Sequence, residues 1–192
     1  MSQPVRRGRP RQAETDERLL AAAAELLREK GPTGVTIEGV SSRSGVARTT
    51  IYRRYDTRRQ LIAAVIGPIV DRPLPPVDLP VEDKVRWVLD QVAGLFEDGL
   101  GRGVVAAIVA DTDPEFTLAL RAALDRRLER LRGQIQTDVD TVGVVADTDS
   151  DAVINLLFGA YLGEVLRHGA PRARWAESTI ALVAGALVAP RS

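Results

Sequence analysis

The side chains best suited to binding a polyanion are concentrated in residues 36 to 61, TIEGVSSRSGVARTTIYRRYDTRRQL. Two short helix signals are joined there by Ser44-Gly45, and Val46 and Ile51 stand at the spacing that turns Ile51 inward. The outer face of the second helix then presents side chains that can contact phosphates and base edges, namely Arg48, Thr49, Thr50, Tyr52, Arg53 and Arg54. The pattern predicts a DNA-binding helix-turn-helix, although a run of arginines alone is more often a solvated helix face.

The flanking sequence supplies the other helices that such a motif needs. Residues 15–30 carry leucine and alanine at helical spacing and end at Gly31-Pro32. Thr36 can cap the next helix, and residues 57–60 form a capping box that opens a further one. Three helices around a small apolar core are expected, which is the arrangement that places a recognition helix in the major groove.

Residues 12–66 resemble the TetR family of one-component transcriptional regulators. The resemblance is carried by Thr36-Ile37, Gly45-Val46, Thr50-Ile51-Tyr52, Tyr55, Thr57-Arg58 and Leu61-Ile62. It implies base contacts by Arg48, Thr49 and Thr50. It also implies phosphate contacts by Thr36, Tyr52, Arg54 and Arg58, which Arg53 on the same outer face is expected to join. Ala47 stands where the family often has Ser, so the recognition helix lacks a side-chain cap, and Arg54 replaces the common His.

The first eleven residues are expected to form a disordered basic arm. Arg7-Gly8-Arg9-Pro10 is similar to the core of an AT-hook, which enters the minor groove. Directly before a helix-turn-helix this use is favoured over a merely soluble tail. The arm residues expected to contact DNA are Arg6, Arg7, Arg9 and Arg11.

Charge and composition support a division of the chain into two parts. Residues 1–62 hold 13 Arg and Lys against 7 Asp and Glu, a net charge of +6, and residues 63–192 hold 13 against 19, a net charge of −6. Only the basic part suits polyphosphate. The predicted domains are an arm (1–11), a DNA-binding domain (12–66), a proline-rich connector starting at Gly67-Pro68 (67–80) and a helical domain (81–192).

The second part reads as a helical bundle, so the expected fold class is all-α. Helical signals cover residues 81–97, 103–110, 114–138, 150–167 and 172–188, without an alternating strand pattern. In the last two, small residues recur at four-residue steps, which either permits tight packing within one subunit or marks a contact between subunits. The resemblance implies that these helices form a homodimer interface, with Gly159, Gly163, Ala181 and Gly185 in it.

The resemblance also implies a ligand pocket whose occupation changes the separation of the two DNA-binding domains of a dimer. The expected lining comprises Trp87, Leu95, Phe96, Ile108, Phe116, Leu120, Phe158 and Tyr161. Each of these alone is more often ordinary core. No effector is identified by the residues.

Catalytic and metal chemistry find little support in the sequence. His168 is the only histidine and is expected at a helix end, and cysteine is absent. Residues 147–151 imitate a calcium loop, but Ala152 and Phe158 occupy the required Gly and Glu positions, so helix capping is expected instead. Neither an enzyme nor a cofactor or metal site is predicted, and without a signal peptide or membrane span the expected location is the cytoplasm.

The sequence therefore predicts a homodimeric repressor that binds an inverted-repeat DNA operator and is released by a small apolar or amphipathic molecule. Within the same fold, an activator or a ligand-independent regulator stays open. A dimerisation module or an enzyme would require the basic helix to be incidental.

Overall fold

A computed structural model describes residues 9–101, 103–141, 144 and 148–188, with backbone alone for residues 9–11 and 139–141. The described residues form nine α-helices and no strand, only a single antiparallel bridge between Val144 and Val188. The helices are α1 (Arg9–Lys30), α2 (Ile37–Ser44), α3 (Arg48–Tyr52), α4 (Arg58–Val70), α5 (Val81–Gly94), α6 (Gly103–Val109), α7 (Pro114–Thr141), α8 (Ser150–His168) and α9 (Trp175–Leu187). A 3₁₀ turn (Pro32–Gly34) and a π turn (Leu95–Gly99) complete them. The all-α prediction is confirmed.

The described residues fall into two compact units. The first lies within Met1–Asp71 and Glu97–Ala123, and the second within Arg72–Phe96 and Leu124–Ser192. Helix α6 and the start of α7 therefore group with the N-terminal helices rather than with the rest of the predicted domain 81–192. The functional division of the chain stays a prediction.

In the first unit, apolar side chains from α1 to α4 bury one small core. The periodic leucines and alanines of α1 are on its inner face, and Ile51 of α3 is fully buried. Burial of one such side chain contributes about 1.5–3 kcal/mol, so this core orders helices that are individually too short to be stable. The core members include Leu19, Ala23, Leu26, Leu27, Val40, Ile51, Leu61, Ile62, Val65 and Ile66.

Helix α4 begins where the sequence predicted and ends later. Thr57 caps it by accepting a hydrogen bond from the Gln60 N–H at 3.2 Å. The expected stop at Gly67-Pro68 is wrong, because the helix continues through Pro68 to Val70. Proline removes one intrahelical hydrogen bond, but Val70 is buried and holds the last turn in place.

Residues 9–11 of the predicted disordered arm are helical. Helix α1 begins at Arg9, so Arg9 and Arg11 belong to its first turn. Their side chains, and residues 1–8 with Arg6 and Arg7, lie outside the described residues. Proline at position 10 is compatible with this start, because the first helical N–H groups have no intrahelical partner.

In the second unit, α5 packs against α8 and α9. The core between them consists of Val85, Leu89, Leu157, Ile180, Val183 and Ala184. Asp149 caps α8 by accepting from the N–H groups of Asp151 and Ala152, which is the predicted capping role. Gly169 ends the helix with φ of 78° after His168.

An ion pair closes the loop between α8 and α9. The Arg172 guanidinium donates two hydrogen bonds to the Glu164 carboxylate, from Nε at 2.9 Å and from Nη2 at 2.7 Å. The backbone N–H of Arg172 donates a third hydrogen bond to the same carboxylate. These bonds lower the pKa of Glu164 from 4.5 to about 2. The carboxylate therefore stays ionised at physiological pH, and the ion pair with Arg172 continues to hold the loop.

Helix α3 begins without a side-chain cap at Ala47, as the sequence indicated. Because a Ser hydroxyl at this position can accept from an exposed N–H of the first turn, Ala47→Ser should raise the free energy of unfolding by about 0.5–2 kcal/mol. Thermal or denaturant unfolding measures it. Ala47→Val, which lacks the oxygen, is the matched control, and equal stability of the two variants would contradict the assignment of Ala47 as the cap.

Candidate nucleic-acid interface

The turn between α2 and α3 is held by side-chain hydrogen bonds of Ser41 and Ser44 that the sequence did not predict. Ser44 Oγ donates to the Val40 carbonyl at 2.7 Å and accepts from the Val46 N–H at 3.1 Å. Ser41 Oγ donates to the Val46 carbonyl at 2.8 Å. Gly45 has φ of 70°, which glycine adopts without strain. These bonds satisfy the backbone of the turn and so fix the direction in which α3 leaves α2.

Arg18 of α1 fastens the same turn from the other side. Its Nη2 donates to the Ser44 carbonyl at 2.6 Å. Carbonyls at the end of a helix lack intrahelical partners, so a cationic donor stabilises that end. Helical periodicity marks Arg18 only as an outward position, and its partner is 26 residues away, so no local pattern could have revealed this contact.

The outer face of α3 is open to solvent. Its apolar side chain, Ile51, is fully buried, while the remaining positions of the helix are turned outward. The exposed members of the face are Arg48, Thr49, Tyr52 and Arg53, and Thr50 is half-buried. Arginine and threonine side chains on an accessible helix can hydrogen-bond to base edges in a major groove. The individual contacts stay predictions.

Arg48 makes one weak ion pair in the free protein. Its Nη1 lies 3.5 Å from Glu38 Oε1, and the two side chains are 61% and 59% exposed. Exposed pairs of this kind contribute little because water and salt screen them. Arg48 can therefore leave Glu38 for a guanine edge at small cost.

Arg54 is less available than predicted. Its Nε lies 2.5 Å from Asp16 Oδ1, its Nη2 donates to the Gln12 carbonyl at 3.3 Å, and its side chain is only 13% exposed. A phosphate would have to compete with a carboxylate already in place. Arg54 connects the segment after α3 to α1, so it is not an open anion contact.

Arg58 has a different role from the predicted phosphate contact. All five guanidinium N–H groups have acceptors within the first unit. Nε donates to the Val35 carbonyl at 2.7 Å, and Nη2 donates to the Pro32 carbonyl at 2.9 Å and to Asp113 Oδ2 at 2.5 Å. Nη1 donates to Asp113 Oδ1 at 3.1 Å and to Glu115 Oε2 at 3.0 Å. Because no donor remains for a phosphate, this geometry contradicts the prediction.

The contacts of Arg58 also change the acidity of its partner. Hydrogen bonding to Arg58 lowers the pKa of Asp113, and the Phe116 N–H, 3.1 Å from Oδ1, lowers it further. The pKa of Arg58 is raised, chiefly by the same hydrogen bond to Asp113. Both Arg58 and Asp113 therefore stay charged at physiological pH.

Thr36 uses its hydroxyl oxygen to cap α2. Oγ1 accepts from the Gly39 N–H at 3.0 Å, as the helix-start signal predicted. The hydroxyl hydrogen is not consumed by that bond, since a hydroxyl both accepts and donates. The predicted phosphate contact by Thr36 is compatible with the cap and stays a prediction.

The eight predicted pocket residues do not belong to one unit. Ile108, Phe116 and Leu120 lie in the first, and the other five, Trp87, Leu95, Phe96, Phe158 and Tyr161, lie in the second. Phe96 stacks on Tyr161 with ring centroids 5.5 Å apart and meets Phe158 edge-on at 6.3 Å. For these three rings the ordinary-core interpretation fits the structure.

A small cavity in the second unit lies elsewhere, among α5, α7, α8 and α9. Its volume is about 60 Å³, and none of the eight predicted residues lines it. The walls are apolar, with Val85, Leu131 and Leu157 among them. The buried ion pair of Lys84 and Asp138, 2.6 Å apart, stands at its border.

The predicted dimer residues lie on the surface of the second unit. Gly159, Ala181 and Gly185 are exposed and Gly163 is half-buried. A Cβ added at any of the three glycines would meet nothing within 4 Å. Tight packing inside one subunit, one of the two interpretations of these small residues, therefore does not explain the glycines.

Neither a metal site nor a membrane span is found within the described ranges. No three His, Asp or Glu side chains there lie together in a way that could hold a metal ion. None of the helices described is both long and apolar enough to cross a bilayer.

An exposed helix rich in arginine and threonine, which follows a hydrogen-bonded turn and packs on the core of α1 to α4, is typical of a DNA-binding transcriptional regulator. Residues 19–65 match the family of bacterial regulatory proteins described as the tetR family. The chain is 29% identical over 177 residues to the HTH-type transcriptional regulator CymR of Pseudomonas putida, covering 85% of this chain and 84% of that one.

Solved structures show the same fold. A TetR transcription regulator from Haloarcula marismortui superposes with a TM-score of 0.66 at 17% identity, covering 92% of this chain and 100% of that one. A putative transcriptional regulator from Saccharomonospora viridis in complex with choline gives 0.67 at 19% identity, covering 93% and 100%. The matched segment, residues 19–65, is a DNA-binding domain of the TetR family of transcriptional regulators.

The exposed face of α3 predicts different consequences for two arginines. Arg48→Ala should lose about 1–3 kcal/mol of binding free energy on a specific duplex, relaxing one base position, if Arg48 pairs with guanine. Arg53→Ala should weaken all duplexes alike and reduce the slope of log affinity against log salt by about 0.9 per lost phosphate contact. Fluorescence anisotropy over a salt series measures both. Equal losses on specific and random DNA for Arg48→Ala would overturn its assignment as a base reader.

Proposed function

We propose that the protein is a homodimeric repressor that binds an inverted-repeat operator and is released by a small molecule. The observation that carries the proposal is an exposed apolar face on α8 and α9. It would let two copies present two recognition helices to one duplex. Such a protein acts where chromosomal DNA lies, in the cytoplasm.

The face is strongly apolar for a surface. Leu156, Leu166 and Leu182 are 53%, 82% and 77% exposed. A groove of about 520 Å³ that includes Leu156 and Leu182 is lined mainly by alanine, valine and leucine from both helices. Contiguous exposed apolar surface of this kind marks an interaction site in soluble proteins.

A second copy of the chain suits this face best. The glycines at positions 159, 163 and 185 leave open space in which helices of another copy can approach closely, and Ala181 is an exposed small residue on the neighbouring helix. A two-fold interface is self-complementary, so one patch serves both partners. Two-fold symmetry of the protein then requires a pseudo-palindromic operator with half-sites about one helical turn, or a multiple of it, apart.

The effector is proposed to enter at the cavity among α5, α7, α8 and α9. At about 60 Å³ it is smaller than drug-sized binding sites, which measure roughly 300–1,000 Å³. A ligand larger than a few atoms therefore has to part these helices, and a ligand that moves helices can shift an equilibrium between two protein states. The choline complex of the Saccharomonospora viridis regulator supports a ligand-binding role for this fold, without identifying the ligand here.

A charge placed on the exposed face tests the dimer. Leu182→Glu should convert the protein to monomer, because a carboxylate at a self-contacting apolar surface is desolvated and faces its own symmetry mate. Sedimentation equilibrium measures the mass, and operator affinity should fall at least about tenfold with it, since each chain then binds a half-site alone. Arg126→Glu, an exposed charge change on α7 and away from the proposed face, is the control. A Leu182→Glu dimer with unchanged operator affinity would contradict the proposed interface.

Filling the cavity tests the effector site. Val85→Phe should reduce the response of a bound operator complex to effector while leaving DNA affinity in its absence nearly unchanged, because the DNA-contacting helices belong to the first unit. A compound library is screened on the wild type for release of a duplex selected from random sequence, and the hits are repeated on the variant. If no compound releases the duplex, a ligand-independent regulator replaces the repressor proposed here. Release unchanged by Val85→Phe would place the effector elsewhere.

A further inference from the structure

We propose that Arg58 and Asp113 form a positioning pair on which DNA binding depends although neither touches DNA. Arg58 is the first residue of α4, and Asp113 directly precedes α7. The pair is bidentate, with Nη2–Oδ2 of 2.5 Å and Nη1–Oδ1 of 3.1 Å. Bidentate guanidinium–carboxylate pairs fix orientation as well as distance.

The guanidinium joins α4 to the segment that starts the helix-turn-helix. Its two backbone acceptors, the carbonyls of Pro32 and Val35, lie in the turn just ahead of Thr36, which caps α2. Because α2 and α3 are joined by a turn held by its own hydrogen bonds, a shift of the start of α2 carries α3 with it. Arg58 therefore sets the position of α3 relative to the core of the first unit.

Asp113 holds that guanidinium in place from the other side. It is 6% exposed and also caps α7 by accepting from the Phe116 N–H. Being buried at the head of a second helix, it cannot follow Arg58 if the arginine turns outward. Glu115 adds only one hydrogen bond and its side chain is 51% exposed, so it is the minor partner.

Replacing Asp113 changes the affinity for DNA in one direction if Arg58 is a positioning residue and in the opposite direction if Arg58 contacts phosphate. Asp113 carries a negative charge, so removing it can weaken DNA binding only if DNA binding depends on the position that Asp113 gives Arg58. If Arg58 instead bound phosphate, loss of Asp113 would free the guanidinium and remove a repelling charge, and DNA binding would strengthen. The two roles thus predict opposite changes.

The experiment measures affinity over a salt series for two 40-base-pair duplexes, one selected by the wild type from random sequence and one unselected. Asp113→Ser keeps a capping oxygen for α7 but is too short to hold Arg58, and Arg58→Lys keeps the charge but loses the forked geometry. Each should weaken binding to the selected duplex by about tenfold with the salt slope unchanged. The double variant should be no weaker than the weaker single variant, because both remove one shared interaction.

Glu115→Gln should stay within about twofold of the wild type, as a mostly exposed partner. Tighter binding by Asp113→Ser, or near-wild-type binding by Arg58→Lys together with a flatter slope for Arg58→Met, would overturn the positioning role. Thermal unfolding verifies the fold of each variant, and Asp113→Asn replaces Asp113→Ser if the latter does not fold. If the wild type selects no duplex, the operator proposal fails, while the sign of the Asp113 effect on unselected DNA still decides the role of Arg58.

Discussion

A guanidinium whose five N–H groups all have acceptors holds the DNA-binding part of this molecule together. Arg58 connects the start of α4, the turn ahead of α2 and the head of α7. A buried or partly buried cation destabilises the fold unless its N–H groups are hydrogen-bonded, and a guanidinium with all of these bonds is hard to displace. The short helices α2 and α3 depend on such ties, because five to eight residues are too few for an independently stable helix.

The same unit keeps other charges open, and the contrast explains how a neutral chain can bind a polyanion. Arg18, Arg54 and Arg58 are turned to carbonyls and carboxylates of the protein, whereas Arg48 and Arg53 remain exposed. The internal arginines position the motif and the exposed ones are left for the ligand. A count of basic residues does not separate the two groups.

Local signals in the sequence predicted most of the helix starts and the inward position of Ile51. Thr36, Thr57 and Asp149 cap the helices expected of them, and the apolar spacing placed Ile51 inside. The stop at Pro68 failed because burial of Val70 outweighed the lost hydrogen bond. The partners of Arg18 and Arg58 could not be predicted, since they lie 23 to 57 residues away along the chain. Core and cavity walls share apolar side chains, so the sequence does not distinguish a pocket residue from a core residue, whereas the stacking of Phe96 on Tyr161 does so in the structure.

In the proposed complex, two copies of this chain place two recognition helices on one duplex. Hydroxyl-radical footprinting on a selected duplex, combined with the mass of the complex from sedimentation, measures this arrangement. We expect two chains per duplex and two protected patches on one face of the DNA, related by two-fold symmetry and about one helical turn apart. A single protected patch with one chain per duplex would contradict it.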